Sequence, residues 1–198
     1  MFKILLIRPG VTEYDQQGRI QGTLDIPLCE DGRRQVEATI EELRTQPITA
    51  IFTSPCQAAQ QTADALGEAL DLKVKSLDSL QNLDHGLWQG MRVTDVKTKQ
   101  PKVYRQWQEQ PETICPPQGE TVIDTEERLQ AAIVKLTKKY KAEGLVAVVL
   151  PEPAASVLRH VLRHDELGIG GEVGIDGIGA EQVMHYPFVD PQEVTQPR

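Results

Sequence analysis

Apolar positions along the chain alternate between two rhythms. Residues 3–8, KILLIR, form a short and almost continuously apolar run, the pattern of a strand buried on both faces. After a polar, glycine-containing loop, EDGRRQVEATIEELRTQ sets Val36, Ile40 and Leu43 at helical spacing, with Asp31-Gly32 suited to its start. ITAIFTSP is a second β-rich run, stopped by a proline, and the Ala- and Leu-rich CQAAQQTADALGEALDL predicts a second helix. LKVKSLDSL predicts a strand that enters the loop QNLDHGLWQG.

Residues 91–119 carry four prolines and predict an excursion from the core with short helices at most. ETVIDTEERLQAAIVKLTKKYKAEG is the clearest helix, with Ile123, Leu129, Ile133 and Leu136 on roughly one face and Gly144 near its end. LVAVVLP is a third strand stopped by a proline, and AASVLRHVLRHDELG a further helix. Residues 165–198 are Gly-rich, and only AEQVMHYPF there has strand character. Strands alternating with helices predict an α/β fold, a three-layer α/β/α sandwich on a mainly parallel central sheet, built as one domain over residues 1–198. Ligands of such sheets gather at the carboxyl ends of the strands. Three strand candidates end there in Arg-Pro, Ser-Pro or Leu-Pro.

Charge and composition narrow the function. The net charge of -8 repels nucleic acid and anionic membrane surfaces, so neither is an expected partner. No run approaches the ~18 apolar residues of a membrane span, and MFKILLIRPG is too short an apolar run for a signal segment. Cys29, Cys56 and Cys115 are an odd set without metal-like spacing, which suits reduced thiols in a cytoplasmic protein. His160 and His164 lie four apart, but no glutamate adjoins the first, and Arg159 and Arg163 make them read as a basic, solvated helix face. GIGGEVG neither follows a strand nor opens a convincing helix. No metal and no cofactor are expected.

Several segments together carry a family likeness. RPGVTEYDQQGRIQGTLDIPLCEDGRRQ resembles the opening signature of the histidine phosphatase superfamily, the phosphoglycerate mutase-like group. TSPCQAAQQTA, LQNLDHGLWQG and PPQGET resemble three further motifs of that family in the same order, and LVAVVLPEP falls where its second catalytic histidine follows a buried strand. The resemblance implies a phosphoglycerate mutase-like fold and, in an intact member, phosphomonoester hydrolysis or phosphoglycerate mutation.

The departures fall on the reactive positions. By that resemblance the phosphorylated histidine is replaced by Pro9, the second histidine by Pro151, the helix arginine by Ala58, the general-acid glutamate by Asn82, and the pocket asparagine by Asp15. A proline nitrogen locked in an amide has no lone pair with which to attack phosphorus, and a side-chain amide donates no proton to a leaving group at neutral pH. Of the core constellation Arg8 survives, with Arg19, Gln21 and Gly22 on the rim; Arg8 is expected to pair with Asp15, or with an acid such as Glu120. His85, in the loop facing the pocket, reads as a packing residue before it reads as a replacement nucleophile.

The sequence thus points away from catalysis, to a pseudoenzyme that binds a protein partner or small ligand. Two alternatives stand beside it: a sensor of small anions or metabolites around Arg8, and a phosphatase or mutase with residual or altered chemistry. Related proteins often form homodimers, but nothing in the sequence picks out an interface.

Overall fold

The computed structural model describes residues 2–139 and 144–163. Its centre is a four-stranded sheet formed by β1 (Phe2–Ile7), β2 (Ile48–Thr53), β3 (Val74–Ser76) and β4 (Gly144–Val149). The strands lie in the order β1-β4-β2-β3, and every neighbouring pair is parallel. Among the described residues seven α-helices accompany them: α1 (Glu13–Gln16), α2 (Glu30–Leu43), α3 (Gln57–Leu70), α4 (Val93–Lys99), α5 (Pro101–Glu109), α6 (Val122–Lys139) and α7 (Ala154–Arg163).

Side chains on successive strand residues point to opposite faces, so the apolar runs in β1, β2 and β4 feed two separate cores. Leu5, Ile7, Ile51, Ala147 and Val149 join Val36, Ile40 and Leu43 of α2 and Ala59, Ala63 and Leu66 of α3. Ile4, Leu6, Phe52, Val146 and Val148 join Leu129, Ile133 and Leu136 of α6 and Val157, Leu158 and Val161 of α7. This is the predicted three-layer α/β/α arrangement. A strand filling both layers has no face left for water, which is why its sequence does not alternate.

The structure departs from the sequence reading in four places. LKVKSLDSL yields only β3 and a 3-10 turn at Asp78–Leu80, because β3 lies at the end of the sheet with Lys75 and Ser76 exposed. The loop after β1 contains α1, a single turn closed by a capping box between Thr12 and Asp15. Ile123 is 50% exposed, and Val122 takes the inward position at the start of α6.

Residues 91–119 hold the expected short helices, but these pack into the core rather than leaving it. Val93, Val96, Tyr104 and Trp107 are buried in the same cluster as β1 and α6. Trp107 is 0% exposed and meets Trp88 edge to face, with ring centroids 5.9 Å apart. His164 and the Gly-rich segment 165–198, which holds His185, lie outside the described residues.

Candidate functional site

Register decides which loops meet. Ile7 of β1 and Thr53 of β2 both pair with Val149 of β4, so three strands end level with one another. The ladder continues one step as Leu150 N donates to Ile7 O and Ser54 N to Val149 O, both over 2.9 Å. Arg8-Pro9-Gly10 and Pro151-Glu152-Pro153 therefore leave the sheet side by side. Between them opens a cavity of about 70 Å³, room for a few waters or one small ligand.

Its walls are Pro9, Ala58, Pro151 and Pro153, and its rim carries Arg19, Gln21 and Gly22. Besides Arg19, the titratable groups on the lining are Arg8, Asp15, Glu152 and His85. The sequence-predicted positions are thus brought together, with the exception of Asn82. That residue is 1% exposed and borders a neighbouring crevice with Thr23, Cys56 and Gln81.

Asn82 has become a structural cross-link. Its Nδ2 donates to Gly22 O at 2.9 Å and to Glu152 O at 2.8 Å, while its Oδ1 accepts from Ala154 N at 3.2 Å. One amide thereby ties the rim loop to the tip of β4 and to the first turn of α7. Each bonded atom is a backbone group in a loop or at the start of a helix, where the regular ladder of hydrogen bonds is interrupted.

Arg8 is 4% exposed, and its ion partner corrects the sequence reading. The guanidinium faces Glu152, with Nη1 4.0 Å from Oε1. Asp15 is instead spent on the capping box, where its Oδ2 accepts from Thr12 N at 2.7 Å and from Thr12 Oγ1 at 2.8 Å. Burial pushes the Asp15 carboxyl above the usual range, and the two Thr12 bonds pull against that rise. Glu120 pairs with Arg128 at 2.7 Å and accepts from Asp84 N. The sequence reading gives no role to Glu152, although an acid between two prolines at a strand's carboxyl end was the available signal.

The rim is held by other means. Arg19 Nη1 donates to Gly90 O at 2.6 Å and its Nε to Gln17 Oε1 at 2.8 Å, with the guanidinium 5.8 Å from the Tyr14 ring centre. Gln21 Oε1 lies 3.2 Å from the Thr12 hydroxyl. The backbone after Arg8 is fixed by Gly10 N donating to Thr62 Oγ1 and Val11 N to Gln35 Oε1. Gly10 passes so close to Gly32 that a β-carbon on either would strike backbone, which explains both glycines.

His85 is fully buried, and burial lowers its pKa from 6.5 to about 4, against smaller opposing effects of the Leu83 backbone and Asp84. It is neutral at physiological pH. Neither ring nitrogen makes a hydrogen bond of good geometry, and the ring tilts against Trp107 at 5.6 Å. A nucleophilic imidazole needs an orienting partner; among the described residues the contact this ring makes is packing.

The remaining candidates stay apart from this site. His160 is half-buried on α7, and the described residues contain no group of three metal-ligating side chains. Cys29, Cys56 and Cys115 are unbridged. No described helix is long and apolar enough to cross a membrane.

Comparison with known proteins agrees with this architecture. The family model of the histidine phosphatase superfamily (branch 1) matches residues 4–169. The chain is 32% identical over 148 residues to phosphoserine phosphatase 1 of Hydrogenobacter thermophilus, covering 75% of this chain and 70% of that one. It is 33% identical over 161 residues to the bifunctional protein Rv2228c of Mycobacterium tuberculosis, covering 81% of this chain and 44%, under half, of that longer one. Among solved structures, a mycobacterial glucosyl-3-phosphoglycerate phosphatase in complex with VO3 superposes with a TM-score of 0.78 at 27% identity, over 85% of each chain. The chain belongs to the histidine phosphatase superfamily, branch 1.

Proposed function

We propose that this chain is a non-catalytic member of its superfamily, a binding or interaction module that keeps the phosphatase scaffold without the phosphoryl-transfer machinery. One observation carries the reading. The two strand tips that open the cavity present Pro9 and Pro151, neither of which has a lone pair available to attack phosphorus. Ala58 adds no charge to the lining, and Asn82 has its side-chain amide engaged with backbone groups of Gly22, Glu152 and Ala154. On this reading the catalytic set is empty, and Arg8, Asp15, Arg19, Gln21, Gly22 and His85 form a remnant binding pocket.

The magnitudes favour inactivity over slow turnover. Loss of a nucleophile alone lowers turnover by about 10⁶ in enzymes where it has been removed. Each missing charge-assisted hydrogen bond to a transferring phosphoryl removes a further ~1.5–3 kcal/mol. Three unbridged thiols suit a reducing compartment such as the cytoplasm.

The second reading, residual phosphatase chemistry, is favoured by the buried Arg8 at an open cavity and by relatives named as phosphatases. One assay separates the two. Purified protein is incubated with a panel of phosphomonoesters, including phosphoserine and p-nitrophenyl phosphate, and released phosphate is followed. The expected rate equals the buffer blank. Turnover abolished by Arg8→Ala would overturn the proposal, and turnover also lost in His85→Ala would identify the replacement nucleophile.

A further inference from the structure

Beside Arg19, whose guanidinium at the rim bonds Gly90 O and Gln17 Oε1, two features of the cavity attract anions: the buried guanidinium of Arg8 and the amino end of α7, a ten-residue helix. Both are already occupied by one side chain. Glu152 Oε1 lies 4.0 Å from Arg8 Nη1, while its Oε2 accepts from Ser156 N at 3.2 Å in the first turn of α7. The carboxylate stands where positive potential from both sources converges, and it is 10% exposed.

Glu152 is also held in place. Its carbonyl accepts from Asn82 Nδ2 at 2.8 Å, and its neighbours Pro151 and Pro153 restrict the backbone. An anion fixed this way loses little freedom on meeting its partners. It therefore competes against free anions at a high effective concentration.

We infer that Glu152 is a specificity-determining residue: an internal anion that neutralises Arg8 and the α7 amino end, so that the cavity rejects phosphate and other small anions. The inference rests on the reading of the cavity as a binding site and narrows its ligands to molecules without a phosphate group. Asp15, also on the lining, adds a second acidic group, so that Glu152 and Asp15 offset Arg8 and Arg19 in formal charge.

The test is calorimetric titration of inorganic phosphate into the wild-type chain, Glu152→Gln, and the double variant Glu152→Gln with Arg8→Ala, at constant ionic strength. Glutamine keeps an oxygen for Ser156 N while removing the charge. Glu152→Gln is expected to bind phosphate at least about tenfold more tightly than wild type, given the strength of a unit charge at this range in a partly wet pocket. The gain is expected to vanish in the double variant. Equal affinities in wild type and Glu152→Gln, or a gain that survives Arg8→Ala, would overturn the inference.

A second measurement needs no substitution at Glu152. Phosphate is expected to leave the thermal midpoint of the wild-type chain where an equal ionic strength of chloride leaves it. A phosphate-specific rise that Arg8→Ala abolishes would also refute the idea. Failure here and failure of the proposed function are distinguishable, because one is read from phosphate binding and the other from phosphomonoester turnover.

Discussion

Replacing Asn82 by alanine removes three hydrogen bonds at once and tests whether this position has passed from chemistry to architecture. The side chain bonds Gly22 O, Glu152 O and Ala154 N, at 2.9, 2.8 and 3.2 Å, and it is 1% exposed. At a net value of about 1 kcal/mol per bond, the loss comes to ~3 kcal/mol, and more if water cannot reach the orphaned backbone groups. With a urea m-value of about 2–3 kcal/mol/M, the unfolding midpoint should fall by roughly 1–1.5 M at unchanged slope. The exposed neighbour Gln81→Ala serves as control and should leave the midpoint in place. Asn82→Asp should be at least as destabilised as alanine, since a carboxylate keeps the acceptor but faces two carbonyls it can no longer bond. An Asn82→Ala midpoint indistinguishable from wild type would refute the cross-link argument, whatever its effect on binding.

Four further outcomes are expected. His85 titrates near pH 4 when folded and near 6.5 when unfolded, so between those values the unfolded chain binds the extra proton. Stability should therefore fall by up to ~3 kcal/mol as pH drops through that window, and His85→Phe should remove this component from a urea series run at several pH values. Trp107→Ala should destabilise by ~3–5 kcal/mol in chemical unfolding, because the ring is wholly buried in the core cluster, against Trp88 and His85. Gly10→Ala should lower stability by about 1–3 kcal/mol, read as a lower thermal midpoint, since its β-carbon meets the Gly32 backbone, which cannot swing aside. Restoring both imidazoles with Pro9→His and Pro151→His should leave phosphomonoester turnover at the blank while Ala58 and Glu152 remain; measurable turnover would show that the two prolines alone silence the site.

The sequence by itself determined the layered α/β plan and the family. Both rest on local information: the apolar runs of β1, β2 and β4, the helical spacing of Val36, Ile40 and Leu43, and motifs read in order along the chain. It also determined that Pro9, Ala58 and Pro151 line one cavity, because the matching family order fixes which strand tips meet. It misplaced Ile123, although the spacing itself selects Val122: at about 100° per residue Val122 falls within about 20° of Leu129 and Ile133, while Ile123 falls about 80–120° away and is exposed.

Tertiary structure decided the partners. Asp15 was free, on paper, to face Arg8, until the turn of α1 bent its carboxylate back onto Thr12. Asn82 finds its carbonyls 60 and 70 residues away, and Arg8 meets an acid in the turn after β4, brought beside it by the parallel pairing of β1 with β4. The physical reason is range. Burial patterns and backbone preferences are written residue by residue, whereas an ion pair or a shared amide depends on the register and separation of strands that no local stretch encodes.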